Sequence, residues 1–295
     1  MSEIRIDALL PQEMASRAEY LGARKAEMSF LKTFMLAVLA GAFIALGAIF
    51  ATTVSAAGIP VTAPDGTLAY NSTLPYGFVR LLAGLVFSLG LILVVVGGAE
   101  LFTGNNLIVM AWASGKVSGL ALLRNWIIVY IGNFAGAIGT AVLMYFTKQY
   151  TFGANAVGIA ALKTAVSKCD LTFIQAVALG VLCNALVCMA VWLTYSARST
   201  TDKILAIVFP ITAFVAAGFE HSIANMYFIP YALLIKGFDP AFIGTVTAQV
   251  PHLEKLTWQA FFLNNLLPVT IGNIIGGAVL VAAAYWAIYL RQPQS

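Results

Sequence analysis

The sequence predicts an all-α integral membrane protein: six transmembrane helices, arranged as two inverted repeats of three. Three observations predict it. Of 295 residues, 61% are hydrophobic and only 9% are charged, with mean hydropathy +0.90. A soluble domain carries about 25% charged residues, so this chain cannot cover itself with a solvated surface. Six apolar segments, about 31–54, 78–110, 125–147, 171–195, 204–235 and 261–290, each meet the ~20 residues needed to cross a bilayer. The two halves also repeat each other's small and polar residues at fixed spacing. Water-soluble enzymes, nucleic-acid binders and disordered chains are thereby excluded.

Residues 1–30 are read as a cytoplasmic amphipathic helix. The stretch PQEMASRAEYLGARKAEM, from Pro11, has helical spacing at Met14, Ala18 and Leu21, and its proline sits where a first turn tolerates one. The apolar run that follows is too long for a signal-peptide core of ~7–15 residues, so no targeting peptide is expected. Residues 31–147 form the first three-helix repeat and 171–290 the second.

The second and fifth segments are too long. At ~1.5 Å per residue each would run to roughly 50 Å as a straight helix, against a core of ~30 Å. Both carry polar residues in the middle: Glu100, Thr103 and Asn105 in one, Glu220, His221, Ser222 and Asn225 in the other. A broken helix accounts for length and polarity together.

Lys and Arg placement sets orientation. With the N-terminus inside, inner regions hold Arg5, Arg17, Arg24, Lys25, Lys32, Lys116, Arg124, Arg198, Lys203 and Arg291. Outer regions hold Arg80, Lys148, Lys163, Lys168, Lys236 and Lys255. The excess predicts both termini in the cytoplasm. Cys169, Cys183 and Cys188 lie in apolar settings and are read as small packed residues.

Three matches carry the repeat. Thr33, Phe34, Ala37, Val38 and Gly41 match Thr172, Phe173, Ala176, Val177 and Gly180. Gly98, Glu100 and Asn105 match Gly218, Glu220 and Asn225. Asn125, Val129, Ile131, Gly132, Asn133 and Gly136 match Asn265, Val269, Ile271, Gly272, Asn273 and Gly276. Three crossings per copy force the second copy into the membrane upside down, and matched breaks in inverted repeats mark a substrate pathway near the midplane.

Ionisable residues at membrane depth are costly and are candidates for function. Glu100 and Glu220 occur in both halves, which favours a structural duty: accepting bonds from backbone freed by the breaks. His221 has no partner, because Leu101 takes its place in the first half. An unmatched imidazole at a matched break points to proton chemistry near neutral pH. Asn184 is likewise unmatched, with Ala45 as its counterpart; it is either a donor to an anion or to His221, or interhelical glue. Asn133 and Asn273 sit in twin Ile-Gly-Asn motifs that allow close helix packing, and with Asn105 and Asn225 are read as structural polar residues at the breaks. Lys168 is placed in the loop before the fourth span, either as an anion attractor or as a solvated lysine. Phe87, Leu91, Leu101, Phe102, Val187 and Phe214 flank the breaks and together are candidates for dry constrictions.

The stretches GAELFTGN (98–105) and GFEHSIAN (218–225), with the paired Ile-Gly-Asn motifs, resemble the formate/nitrite transporter family. FSLGLILVVVGGAELFT, TYSARSTTDK and PVTIGNIIGGAVLV extend the resemblance over nearly the whole chain and are most like its formate-conducting branch. The resemblance implies an aquaporin-like protomer, a homopentamer with one pore per protomer, and a bacterial-type inner membrane. It implies His221 as the pore histidine, Thr103 as its neighbour, the six apolar residues as constrictions, and Lys168 and Asn184 as parts of a central polar network. Glu100 and Gly104 depart from the Asp and Ser familiar in that branch.

The expected function is bidirectional movement of formate or a similar small monovalent anion, with His221 relaying a proton; the alternative is nitrite or hydrosulfide in the same pore. Protons and the lipid bilayer are the other expected partners, and no nucleic acid, cofactor or metal is expected. The chain has two histidines, His221 and His252, and neither metal-ligand spacing nor Gly-x-Ser-x-Gly, so an enzyme is not expected.

Overall fold

The computed structural model describes residues 8–62, 67–70 and 74–291. Arg5 and the other charges of residues 1–7 lie outside the described residues.

Helix α1 (Pro11–Ala26) opens with Pro11 at a first-turn position, and Glu13 accepts from the Leu10 N–H at 2.9 Å. Its small face, Ala15, Ala18, Gly22 and Ala26, is buried against Ile108 and Ala111. It therefore rests on the protein. Its last turn carries Arg24 and Lys25, cations where a helix dipole favours them.

Helix α2 (Phe30–Ser55) is followed by a short hairpin, β1 (Val61–Thr62) paired antiparallel with β2 (Leu68–Tyr70). Helix α3 (Tyr76–Gly97) stops at Gly98, whose φ of 80° is the left-handed conformation that ends helices. Residues 98–103 are not helical. A 3-10 turn (Gly104–Ile108) and α4 (Val109–Ala113) resume the path, and α5 (Gly119–Phe146) crosses back, capped by the Ser118 side chain.

Helix α6 (Ala156–Cys169) precedes α7 (Phe173–Ser196), which starts with a reciprocal Thr172–Gln175 capping box. Helix α8 (Thr200–Ala217) ends at Gly218, φ 78°. After that break α9 (Ser222–Phe238) and the short α10 (Pro240–Val246) follow. The last helix, α11 (Ala260–Tyr289), contains two π-helical stretches, Ala260–Leu266 and Ile275–Ala283. Among the described residues, six helices are long and apolar enough to cross a membrane: Phe30–Gly58, α3, α5, α7, α8 and α11.

The interhelical contacts run through small residues. A Cβ on Gly41 or Gly136 would strike the backbone of Asn133 or Val38, and one on Gly272 or Gly276 would strike Val177 or Val181. Where hydrocarbon surrounds both partners, close backbone approach supplies the packing that the hydrophobic effect supplies in water. Helices α3 and α8 run antiparallel: Arg80 meets Ala216, Gly84 meets Thr212 and Ser88 meets Val208.

Candidate functional site at the two helix breaks

Each break frees main-chain groups from helical bonding. Two asparagines of the Ile-Gly-Asn motifs satisfy them in duplicate. Asn133 Oδ1 accepts from the Phe102 N–H, and its Nδ2 donates to the carbonyls of Glu100 and Ala37, at 2.8–2.9 Å. Asn273 Oδ1 accepts from the Ser222 N–H, and its Nδ2 donates to Glu220 and Gly180, over the same distances. Both residues are fully buried and bond main-chain groups on either side of the breaks.

The two glutamates head a second duplicated cluster. Glu100 accepts from Asn105 Nδ2 at 2.7 Å and pairs with Lys25 Nζ at 3.0 Å. Glu220 accepts from Asn225 Nδ2 at 2.6 Å and pairs with Lys168 Nζ at 2.7 Å. Asn125 and Asn265 close the clusters by accepting from Asn105 and Asn225 and donating to the carbonyls of Lys25 and Lys168.

This bonding corrects two readings. Lys168 is not a loop lysine: it lies in the last turn of helix α6, with a side chain only 14% exposed. The register of the first span against the fourth also moves by one helical turn. Glu100 N–H donates to Leu36 and Glu220 N–H to Leu179, so Ala37 answers Gly180 rather than Ala176. On that register Asn184 answers Gly41, not Ala45.

Thr103 and His221 join the breaks. Thr103 Oγ1 lies 3.0 Å from His221 Nε2. His221 is also the N-cap of α9, where the Ala224 N–H donates to Nδ1 at 3.0 Å. A nitrogen that accepts carries no hydrogen, so in the neutral ring the proton sits on Nε2 and points at Thr103.

Asn184, fully buried, donates to the carbonyls of Asn273 (2.7 Å) and Thr103 (3.3 Å). Its amide occupies the space a Cβ would take at Gly277, in the second π-helical stretch of α11. Asn184 thus ties α11 to the first break and does not bond His221 among the hydrogen bonds of the described residues.

Two cavities flank this centre. Cavity 1, about 310 Å³, is lined by Arg17, Lys25 and Lys203 with Leu91, Leu101 and Asn105. Cavity 2, about 370 Å³, is lined by Arg80, Lys163 and Lys168 with Phe87, Phe214 and His221. Each sets three cations against one glutamate, Glu100 or Glu220, which concentrates anions. Phe87 and Leu91 sit one turn apart on α3, both buried, and Phe87 meets Phe214 edge-on at 5.7 Å. Phe102 turns away toward Tyr130 and Trp126, and neither it nor Val187 lines the two cavities. Sequence reasoning missed Lys25, Arg80 and Lys203. Arg80 and Lys203 were visible only as charges for orientation, and Lys25 lay outside the repeat.

Comparison with known proteins follows the same pattern. A family model described as Formate/nitrite transporter matches residues 12–287. The chain is 46% identical over 287 residues to the formate channel FocA of Escherichia coli strain K12, covering 97% of this chain and 96% of that one. It is 40% identical over 276 residues to formate channel FocA of Haemophilus influenzae, covering 93% and 92%. A solved pentameric formate channel with formate bound superposes with TM-score 0.77 at 45% identity, covering 89% of this chain and 98% of that one.

Proposed function

The chain belongs to the formate/nitrite transporter family, and from that premise we propose that it is a membrane channel for formate and related small monovalent anions. It carries them in both directions, with His221 handling a proton at the centre. The observation that carries this reading is the Thr103–His221 contact at 3.0 Å, buried between two cation-lined cavities.

The idealised cost of moving the bare anion favours a proton step, whereas the relaxed cost leaves conduction of the anion open. A small carboxylic acid ionises near pH ~4, so protonating formate at pH 7 costs about 4 kcal/mol. Taking the bare anion through a dry constriction costs ~20 kcal/mol in the idealised limit and several kcal/mol after relaxation. The cations of either cavity gather the anion, and Phe87, Leu91, Leu101 and Phe214 exclude water between the cavities. His221 meets the anion with its Nε2–H. An imidazolium carries hydrogens on both nitrogens and so gives up the Ala224 cap, at about 1 kcal/mol.

Several further points belong to the same reading. The antiparallel run of α3 and α8 and the paired Lys–Glu–Asn clusters support two inverted repeats, 31–147 and 171–290, behind an N-terminal segment 1–30. The lysine and arginine distribution supports both termini in the cytoplasm of a bacterial-type cell, in its inner membrane. Likeness to a pentameric channel supports a homopentamer. The chain is a conduit rather than an enzyme.

The test is uptake of radiolabelled formate into proteoliposomes, with nitrite, hydrosulfide, acetate and lactate as competitors at two pH values. Formate uptake suppressed by unlabelled formate supports the reading. Uptake no faster than in empty liposomes overturns it.

A further inference from the structure

Helix α8 ends inside cavity 2. Val215, Gly218 and Phe219 line that cavity; where the helix stops, the Gly218 and Phe219 N–H groups take the Phe214 and Val215 carbonyls, and those of Ala216 and Ala217 have no main-chain donor among the described residues. A helix C-terminus carries about −0.5 of an elementary charge. Bare, it would repel an arriving anion and attract cations.

Arg80, on the second turn of α3, covers that end. Its guanidinium donates to the carbonyls of Val215 and Ala216, with Nε 3.1 Å from Ala216 O, and its terminal nitrogen lies beside Gly218. The contact spans 136 positions of sequence and exists because α3 and α8 run antiparallel. At the other end a cation also shares a cavity with a helix C-terminus, here without a hydrogen bond to it among the described residues. Lys203, near the start of α8, lines cavity 1 beside Val94, Val95 and Gly98, where α3 stops.

We propose that Arg80 is a specificity-determining residue of cavity 2: its guanidinium cancels the carbonyl end of α8 and lets a monovalent carboxylate approach His221 from that side. Lys203 does the same for α3 in cavity 1. This rests on the transport reading above.

The test uses full-length protein in proteoliposomes of known orientation, with radiolabelled sodium formate supplied from one face at a time. In R80Q, KM for formate supplied from the cavity 2 face rises about three- to tenfold, while KM from the cavity 1 face stays at the parent value. In R80K, which keeps the charge, the rise stays within about twofold. K203Q gives the mirror result, a rise from the cavity 1 face only. A KM in R80Q that is unchanged from both faces, or raised equally from both, overturns the proposal. Should R80Q fail to assemble, R80K decides: a rise of about tenfold despite the retained charge means that shape and not charge is at work, and the proposal falls. A parent protein that carries no formate overturns the transport reading itself, whereas formate transport with an unmoved KM in R80Q overturns only the role of Arg80.

Discussion

The hydroxyl of Thr103 and the Nε2 of His221 face each other at 3.0 Å, one from each helix break. Because Ala224 occupies Nδ1, the ring's only free hydrogen is aimed at that hydroxyl. Thr103→Ala removes the acceptor and leaves the ring held on one side. Formate uptake at pH 7 should fall about two- to tenfold, the worth of one hydrogen bond, while Thr103→Ser stays near the parent rate. Equal rates in the alanine and serine variants would show that the hydroxyl is idle.

Asn133 and Asn273 each hold three main-chain groups beside a break. Alanine at either position leaves those groups buried and unpaired. Each variant should lose about 2–4 kcal/mol of stability, read as a lower thermal midpoint in detergent. A midpoint at the parent value for both would mean that the breaks hold without them.

Much of this was legible in the sequence, for physical reasons. Span length and polarity alone placed the breaks at Glu100 and His221, since no straight helix of that length fits a bilayer. The matched Glu-to-Asn spacings pointed to a duplicated cluster. The lysines that complete it were not legible as such. Lys25 lies on α1, outside any apolar repeat, and Lys168 lies in the last turn of a helix too short to register as a span. The register of the first span against the fourth was misread by a turn because alanine and glycine recur every four residues in both, and it takes the bonds from Asn133 and Asn273 and from the Glu100 and Glu220 N–H groups to distinguish the two alignments. The π-helical stretches of α11 left no mark beyond the Gly276–Gly277 pair.

The two ion pairs differ in burial. The Lys168–Glu220 pair is 14% and 5% exposed at its side chains, whereas Lys25 is 33% exposed. Removing Lys168 strands a buried carboxylate, and Lys168→Ala should cost about 3–5 kcal/mol. Lys25→Ala should cost less, because water reaches the gap. Unfolding midpoints of the two variants measured side by side give the order; the reverse order would mean that burial does not set the cost.

Outside the spans, Asp239 accepts from Lys148 at 2.7 Å and from the Tyr150 hydroxyl at 2.6 Å. These bonds, that from Lys148 first, hold its carboxyl down from the ordinary 3.8 to about 2. A carboxyl lower in the folded than in the unfolded state stabilises above the unfolded value, and that contribution fades as pH falls toward the folded one. Asp239→Asn should therefore lower the thermal midpoint at pH 6, with the gap to the parent closing between about pH 4 and about pH 2. A gap that is constant across this range would exclude the ionised carboxylate as its source.

His221→Phe keeps a flat ring among Phe214 and Phe87 and deletes both ring nitrogens. The measurement is radiolabelled formate uptake into proteoliposomes across a range of pH, parent against H221F. If the imidazole handles the proton, parent uptake changes with pH and the variant's uptake is both slower and flat. Uptake in H221F that matches the parent in rate and in pH profile would remove His221 from the transport step.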